Sequence, residues 1–112
     1  MAMDVEVDRA PPRAVVKVRG EVDLASAPSL KDTLDPLVDS GVELVVDMSE
    51  VTFCDSSGLS VLVQCRERAH GSGSEPLRLV ITRPSITRVF DVTGLDQVFE
   101  IYASLDDAVA GR

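Results

Sequence analysis

Residues 42–59 read VELVVDMSEVTFCDSSGL, and this stretch decides the fold class. Its first seven residues are almost all apolar, which is typical of a strand covered on both faces. A second short apolar run, residues 51–54, leads directly into the polar tetrapeptide at residues 55–58. Apolar residues then recur with helical spacing from Gly58 to Ala69, which predicts a helix with one face against a sheet. A strand that runs directly into such a helix predicts an α/β fold.

The chain upstream of this stretch predicts a hairpin and a helix. Residues 3–7 and 14–19 are strand-like runs on either side of two consecutive prolines, a pattern that indicates an opening β-hairpin. The next apolar residues fall at i, i+4, i+7 and i+8, with Ser26 as the expected N-cap and Gly41 as the expected stop. The apolar stripe of this first helix consists of Leu30, Leu34, Leu37 and Val38.

The chain downstream predicts two more strands and two more helices. Residues 77–81 form an apolar strand, and Pro84 begins a short helix that Gly94 ends. Residues 98–102 can form a last short strand. Ser104 then begins a sequence that resembles a capping box, which predicts a terminal helix.

The predicted order of elements is therefore β-β-α-β-α-β-α-β-α. Repeated βα units imply a mostly parallel sheet, and the opening hairpin makes the sheet mixed. Residues 70–76 are rich in glycine and serine, so we expect a flexible connection there. At 112 residues the chain has the length of one domain, and we expect residues 1–112 to form it, with about four helices.

Composition and charge exclude several classes of function. The chain is 45% hydrophobic and 27% charged, as a globular domain is. Its formal net charge of -8 would repel a nucleic-acid backbone or an anionic membrane and attract a basic partner. Residues 1–8 have no secretory signal pattern, and no apolar stretch is long enough to span a membrane. We therefore expect a cytoplasmic protein that binds neither nucleic acid nor membrane.

The cysteines and the single histidine give no support for a metal site or a cofactor. Cys54 and Cys65 are not in a CxxC pair, so buried thiols in a reducing compartment fit them better than zinc ligands. His70 should lie near the far end of the second helix, roughly 20 Å from Ser56 at about 1.5 Å per residue. That distance does not fit a Ser-His-Asp hydrolase. The sequence contains no GxSxG, GxGxxG or phosphate-binding loop either, and we expect no enzymatic activity.

The tetrapeptide Asp55-Ser56-Ser57-Gly58 is the segment most suited to carry a functional site. The end of a strand that enters a helix is where α/β folds usually place ligands, and the free N–H groups of the first helical turn favour an anion. A phosphate on Ser56 would add about -1.5 to -2 charges. The simpler interpretation is a helix cap, a role that Asp55, Ser56 or Ser57 can each fill.

Four blocks of the sequence resemble successive blocks of the STAS domain family, and specifically its anti-sigma factor antagonists. They are residues 20–24 (GEVDL), 44–48 (LVVDM), 53–59 (FCDSSGL) and 84–95 (PSITRVFDVTGL). The resemblance implies a single STAS domain that switches partners in the bacterial stress response. The unphosphorylated antagonist binds an anti-sigma factor that is also a serine kinase, and this binding releases the sigma factor for transcription. Phosphorylation then ends the interaction, and a PP2C-like phosphatase can reverse it.

The resemblance also assigns the site residues. It places the phosphoacceptor at Ser56, with Ser57 as the alternative, and implies that Asp23 and Asp55 shape the site or contact the partner. The remaining residues of the expected partner-binding surface are Ser57, Gly58, Leu59 and Val63. Leu59 and Val63 have two interpretations, as core residues beneath a neighbouring helix or as a small docking patch.

Two further expectations concern assembly. We expect the protein to be a monomer when free. The alternative function is that of a non-catalytic STAS adaptor subunit in a lipid or anion transport complex, a role that other STAS domains have.

Overall fold

The computed structural model describes residues 2–73 and 77–111. The elements, in chain order, are β1 (Asp4–Ala10), β2 (Arg13–Val22), α1 (Ala27–Asp39), β3 (Glu43–Cys54), α2 (Ser56–Gly71), β4 (Arg78–Val80), α3 (Pro84–Thr93), a 3₁₀ turn (Leu95–Gln97), β5 (Glu100–Tyr102) and α4 (Leu105–Ala110). This order confirms the predicted succession of strands and helices. Part of the predicted flexible connection, residues 74–76, lies outside the described residues.

The five strands form one sheet in the spatial order β1-β2-β3-β4-β5. The first two strands pair antiparallel, and every later pair is parallel. The sheet is therefore mixed and mostly parallel with an opening hairpin, as predicted. Because the strands of parallel pairs point the same way, the carboxyl ends of β2, β3, β4 and β5 all lie at one edge of the sheet.

The third strand is longer than the sequence indicates. We predicted two apolar runs interrupted by Ser49 and Glu50, but β3 continues through both as one strand of 12 residues. Its pairing with β2 shifts register between Lys17 and Arg19 and again between Gly20 and Glu21. Each shift places one extra residue on β3, as a β-bulge does, and the strand stays paired with β2 on both sides of Ser49. Both strands therefore extend to the same edge.

Helices cover both faces of the sheet. Leu44, Val46 and Met48 of β3 belong to the main core, which also contains the apolar stripes of α1, α2 and α3. Val45 points the other way and packs with Ala108 of α4 in a smaller cluster. All of these side chains are buried, which confirms that β3 is covered on both faces.

The predicted helix boundaries are also observed, with one difference in capping. Gly94 ends α3 in the left-handed conformation (φ 77°), and the Ser104 hydroxyl accepts a hydrogen bond from the Asp107 N–H at 3.1 Å. Ser26 occupies the N-cap position of α1, but its side chain makes no capping hydrogen bond to that helix. The carboxylate of Asp23 orders this turn instead.

Gly58 is the point at which α2 meets the sheet. A Cβ atom at Gly58 would lie 2.6 Å from Val22 Cγ1 and 2.9 Å from Cys54 Sγ, closer than carbon or sulfur atoms can pack. The N-terminus of α2 therefore rests directly against the last residues of β2 and β3. Only a residue without a side chain allows this approach.

We predict that Gly58→Ala lowers the free energy of unfolding by about 1–3 kcal/mol, because the added methyl group overpacks this contact. Gly71→Ala is the matched control, since Gly71 also belongs to α2 but a Cβ there would meet no atom within 4 Å. The control should be neutral or slightly stabilising. Urea unfolding of the three proteins measures both effects, and equal changes in the two variants would contradict this account of Gly58.

Candidate functional site

The candidate site lies at the sheet edge where β2 and β3 end together. Val22 and Cys54 are register partners, and the Asp55 N–H donates a hydrogen bond to the Val22 carbonyl at 3.1 Å. The chain leaves β2 through a short turn into α1 and leaves β3 directly into α2. This geometry brings Asp23 and the segment that begins at Asp55 to the same edge, although they are distant in sequence.

Asp55 is the residue that caps α2. Its backbone is extended (φ -98°, ψ -173°), and its Oδ1 accepts hydrogen bonds from the N–H groups of Ser57 at 2.8 Å and Gly58 at 3.3 Å. Its carbonyl accepts the first helical bond, from the Leu59 N–H at 3.1 Å. Of the three residues that the sequence allowed as caps, the structure selects Asp55, and the two serine hydroxyls are left out of this role.

Ser56 is the accessible hydroxyl of the tetrapeptide. It is exposed at the first position of α2, whereas Ser57 is half-buried. Its side chain makes no hydrogen bond within the described residues. Because a 16-residue helix begins here, the local dipole favours a negative group. Ser56 is thus the accessible hydroxyl at the positive end of the α2 dipole.

Asp23 organises the neighbouring turn. Its Oδ1 accepts hydrogen bonds from the Ala25 N–H at 3.0 Å, the Ser26 N–H at 3.0 Å and the Ser26 hydroxyl at 3.1 Å. The Asp23 N–H donates in turn to Ser26 Oγ at 2.9 Å. The bond from the Ser26 N–H is the main reason that the pKa of Asp23 lies below its usual value. At neutral pH this carboxylate is ionised and holds the turn after β2.

A shallow groove runs along α2 beside Ser56. Its lining residues are Ser56, Leu59, Ser60, Val63, Gln64 and Leu95. Leu59 is only 8% exposed and belongs to the main core, and Val63 is partly buried against that core. The interpretation as core residues therefore accounts for most of the Leu59 surface, while both side chains still line the groove.

Leu95 is a groove residue that the sequence analysis did not single out. The left-handed turn at Gly94 ends α3 and places Leu95 beside the start of α2. The sequence offered one signal for Leu95, which is the last residue of the block at 84–95 that resembles a family block. A lone leucine there does not by itself indicate a function. Helical periodicity cannot detect such a residue, because it lies just beyond its helix.

Two exposed apolar side chains at the same edge were also missed. Leu24 is 77% exposed in the turn after β2, and Phe53 is 48% exposed one residue before the end of β3. Both lie inside blocks that resemble the STAS family, but a sequence pattern does not show which apolar residues remain at the surface. Leu24, rather than Leu59, is the most exposed large apolar residue in the two segments that follow β2 and β3 to this edge.

The two cysteines and the histidine are the remaining groups that the sequence singled out. The thiols of Cys54 and Cys65 are buried, and burial raises their pKa to about 11 and about 12, so both stay protonated at neutral pH. His70 is exposed near the opposite end of α2 from Ser56. Within residues 2–73 and 77–111, no three His, Cys, Asp or Glu side chains converge as metal ligands, and no helix has the length and apolar character needed to cross a membrane.

The fold and the site together define a class of protein. It is a small α/β domain with a mixed sheet that displays an exposed serine hydroxyl where a central strand enters a helix. The family model described as "Mlab, STAS domain" matches residues 5–103. The chain belongs to the STAS domain family.

Three known proteins show how close the likeness is. The chain is 32% identical over 109 residues to the Anti-sigma-B factor antagonist of Bacillus subtilis, covering 97% of this chain and 99% of that protein. It is 35% identical over 100 residues to the Anti-sigma-F factor antagonist RsfB of Mycobacterium tuberculosis, covering 88% and 80%. The crystal structure of an anti-sigma factor antagonist from Mycobacterium paratuberculosis superimposes with a TM-score of 0.89 at 32% identity, covering 98% and 93% of the two chains.

We predict that Asp55→Ala lowers the free energy of unfolding by about 1 kcal/mol, because the first turn of α2 loses its cap. Asp55→Asn should retain most of that stability, since the amide keeps an oxygen that can accept the Ser57 and Gly58 N–H groups. Ser56→Ala should leave stability unchanged, because the Ser56 hydroxyl makes no bond in the described structure. Thermal and urea unfolding distinguish the three variants, and a larger loss in Ser56→Ala than in Asp55→Ala would show that the cap is misassigned.

Proposed function

We propose that this protein is an anti-sigma factor antagonist. Its unphosphorylated form binds an anti-sigma factor serine kinase and thereby frees a sigma factor, and phosphorylation of Ser56 ends the interaction. The observation that carries the proposal is the exposed Ser56 hydroxyl at the start of α2, which makes no hydrogen bond within residues 2–73 and 77–111 while Asp55 supplies the cap. The names of the curated relatives and the extent of their alignment support the same function.

The chemistry takes place on this chain but belongs to its partners. The kinase supplies ATP, and the γ-phosphoryl group passes to Ser56 Oγ as ADP leaves and the hydroxyl proton moves to a base of the kinase. The PP2C-like phosphatase reverses the step by transferring the phosphoryl group to water. This chain contributes a fixed acceptor, because the Asp55 cap holds the turn that carries Ser56. The antagonist is therefore a substrate of both enzymes and has no catalytic role of its own.

Phosphorylation acts on a surface that is already acidic. The segments 21–26 and 53–60 contain the carboxylates of Glu21, Asp23 and Asp55 and no lysine or arginine. A phosphate on Ser56 adds about -1.5 to -2 charges, and these segments offer no cation to neutralise it. A partner that packs against this edge would have to desolvate the phosphate or meet its charge directly, so the complex weakens.

The proposal includes the setting in which this switch operates. The protein acts as a single STAS domain over residues 1–112, as a monomer when free, in the cytoplasm of a bacterium. The alternative is the adaptor subunit of a transport complex, and the family model's description is compatible with any STAS domain. The relatives that match nearly the full length of this chain are named antagonists, and this favours the antagonist.

We predict that incubation with ATP and the cognate anti-sigma kinase adds one phosphate to the wild-type protein, and that site mapping places it on Ser56. Ser56→Ala should accept none, and Ser57→Ala, the matched control, should accept one. Intact mass spectrometry reads all three. Phosphate on Ser57 would correct the acceptor, and the absence of phosphate with every candidate kinase that is active on control substrates would favour the adaptor.

We predict that Ser56→Asp weakens binding to the kinase by about tenfold or more, which corresponds to about 1.4 kcal/mol. Ser56→Asn is the matched control, because it has nearly the same size as aspartate without the charge. Ser56→Asn and Ser56→Ala should bind much like the wild type. Titration calorimetry gives the four dissociation constants. Equal weakening by Asn and Asp would mean that the size of the side chain, and not its charge, controls the complex.

A further inference from the structure

The most exposed large apolar side chain among the described residues lies in the turn after β2, at the sheet edge that also carries the proposed phosphoacceptor. Leu24 is 77% exposed, whereas Leu59, the apolar residue that the sequence placed in the docking patch, is 8% exposed. Leu24 follows Val22 by two residues, and Val22 pairs with Cys54 just before Asp55 and Ser56. Neighbouring strands lie about 4.8 Å apart, so Leu24 and Ser56 belong to one small area of the sheet edge.

The turn that carries Leu24 is fixed from both sides. The residue before it, Asp23, accepts three hydrogen bonds from Ala25 and Ser26, the residues that follow Leu24. The single hydroxyl proton of Ser26 is shared between Asp23 Oδ1 and the Glu21 carbonyl, which lie 3.1 and 3.0 Å from Ser26 Oγ, and Oγ accepts a hydrogen bond from the Asp23 N–H. Leu24 therefore projects from a closed ring of hydrogen bonds. A turn whose backbone is already held in place loses little backbone freedom on binding, which lowers the entropic cost of using its side chain as an interface anchor.

The surroundings of Leu24 indicate the chemistry of its partner. Phe53 is half exposed and is the register partner of Glu21 on the adjacent strand, so it adds apolar surface at the same edge. The charges in the two segments that form this edge are all carboxylates, and the chain has a net charge of -8. A complementary surface would have an apolar pocket with a basic rim.

We infer that Leu24 is the apolar anchor through which the antagonist docks in such a pocket on the anti-sigma factor serine kinase, and that Asp23 is a positioning residue that presents it. This inference rests on the proposed function, since the kinase is the partner proposed there. It also explains why Ser56 can control the complex. The phosphate would lie in the same area as the anchor, where a pocket closing around Leu24 would have to remove its water, and in the proposed switch this desolvation cost exceeds the attraction of the basic rim.

Asp23 has two possible roles in binding, and a single substitution cannot distinguish them. Asp23 can support binding by touching the kinase or by holding Leu24 in place. If Asp23 only positions Leu24, its removal has little further effect once Leu24 is gone. A double-mutant cycle with Leu24→Ser and Asp23→Ala distinguishes the two cases.

We expect Leu24→Ser to weaken kinase binding roughly tenfold to hundredfold, the range expected when one leucine side chain loses its burial. Its melting temperature should not change, because the side chain is exposed in the free protein. Val92→Ser is the matched control, since Val92 is 74% exposed but lies on α3, and it should bind like the wild type. Equal binding by Leu24→Ser and wild type would overturn the anchor.

Asp23→Ala should also weaken binding, and the double variant should bind within about twofold of Leu24→Ser. Asp23→Asn, which keeps an oxygen acceptor, should restore most of the affinity. Amide NMR signals of Ala25 and Ser26 should move in Asp23→Ala and remain near their wild-type positions in Asp23→Asn. Additive losses in the cycle would overturn the positioning role and place Asp23 in direct contact with the kinase.

Phosphorylation and binding measurements on the wild type and Leu24→Ser distinguish failure of the anchor from failure of the proposed function. If the wild type is phosphorylated on Ser56 and binds the kinase, but Leu24→Ser binds equally well, only the anchor fails. If the wild type neither binds nor accepts phosphate from an active kinase, the proposed function fails, and this inference fails with it.

Discussion

The contact of Gly58 with Val22 and Cys54 is the constraint on which the functional edge depends. It lets the first turn of α2 rest directly on the ends of two paired strands, where any side chain would force them apart. The Asp55 N–H completes the junction by bonding to the Val22 carbonyl. Because strands and helix meet with no intervening loop, the residues next to Gly58 have fixed positions. The site is therefore built into the fold instead of resting on a flexible segment.

Two aspartates make this edge usable for recognition, and both act on backbone N–H groups. Asp55 caps α2, so the Ser56 hydroxyl is not needed for that role. Asp23 closes the turn after β2, from which Leu24 projects into solvent. The two carboxylates also keep these two segments negative, because residues 21–26 and 53–60 contain no lysine or arginine. In the proposed switch, a modification that adds negative charge changes what the edge binds without a change of fold.

The order of elements, the mixed sheet and the position of the serine could be predicted from the sequence, because hydrophobic periodicity and turn residues depend on local neighbours. The continuity of β3 could not be predicted from the sequence, since it depends on register shifts in its pairing with β2. Nor could the choice of Asp55 as cap, because Ser56 and Ser57 have equally suitable side chains. The exposure of Leu24 and the burial of Leu59 were also inaccessible, since both are leucines in matching blocks and only tertiary packing separates them.

The central claim is that Ser56 phosphorylation adds charge to a site that is already formed. The most direct test compares backbone amide chemical shifts of the unmodified and Ser56-phosphorylated proteins. The account predicts changes confined to residues 21–26 and 53–60, with the signals of β4, β5 and α4 unmoved. Widespread changes across the sheet would contradict it and would show that phosphorylation works by rearranging the domain.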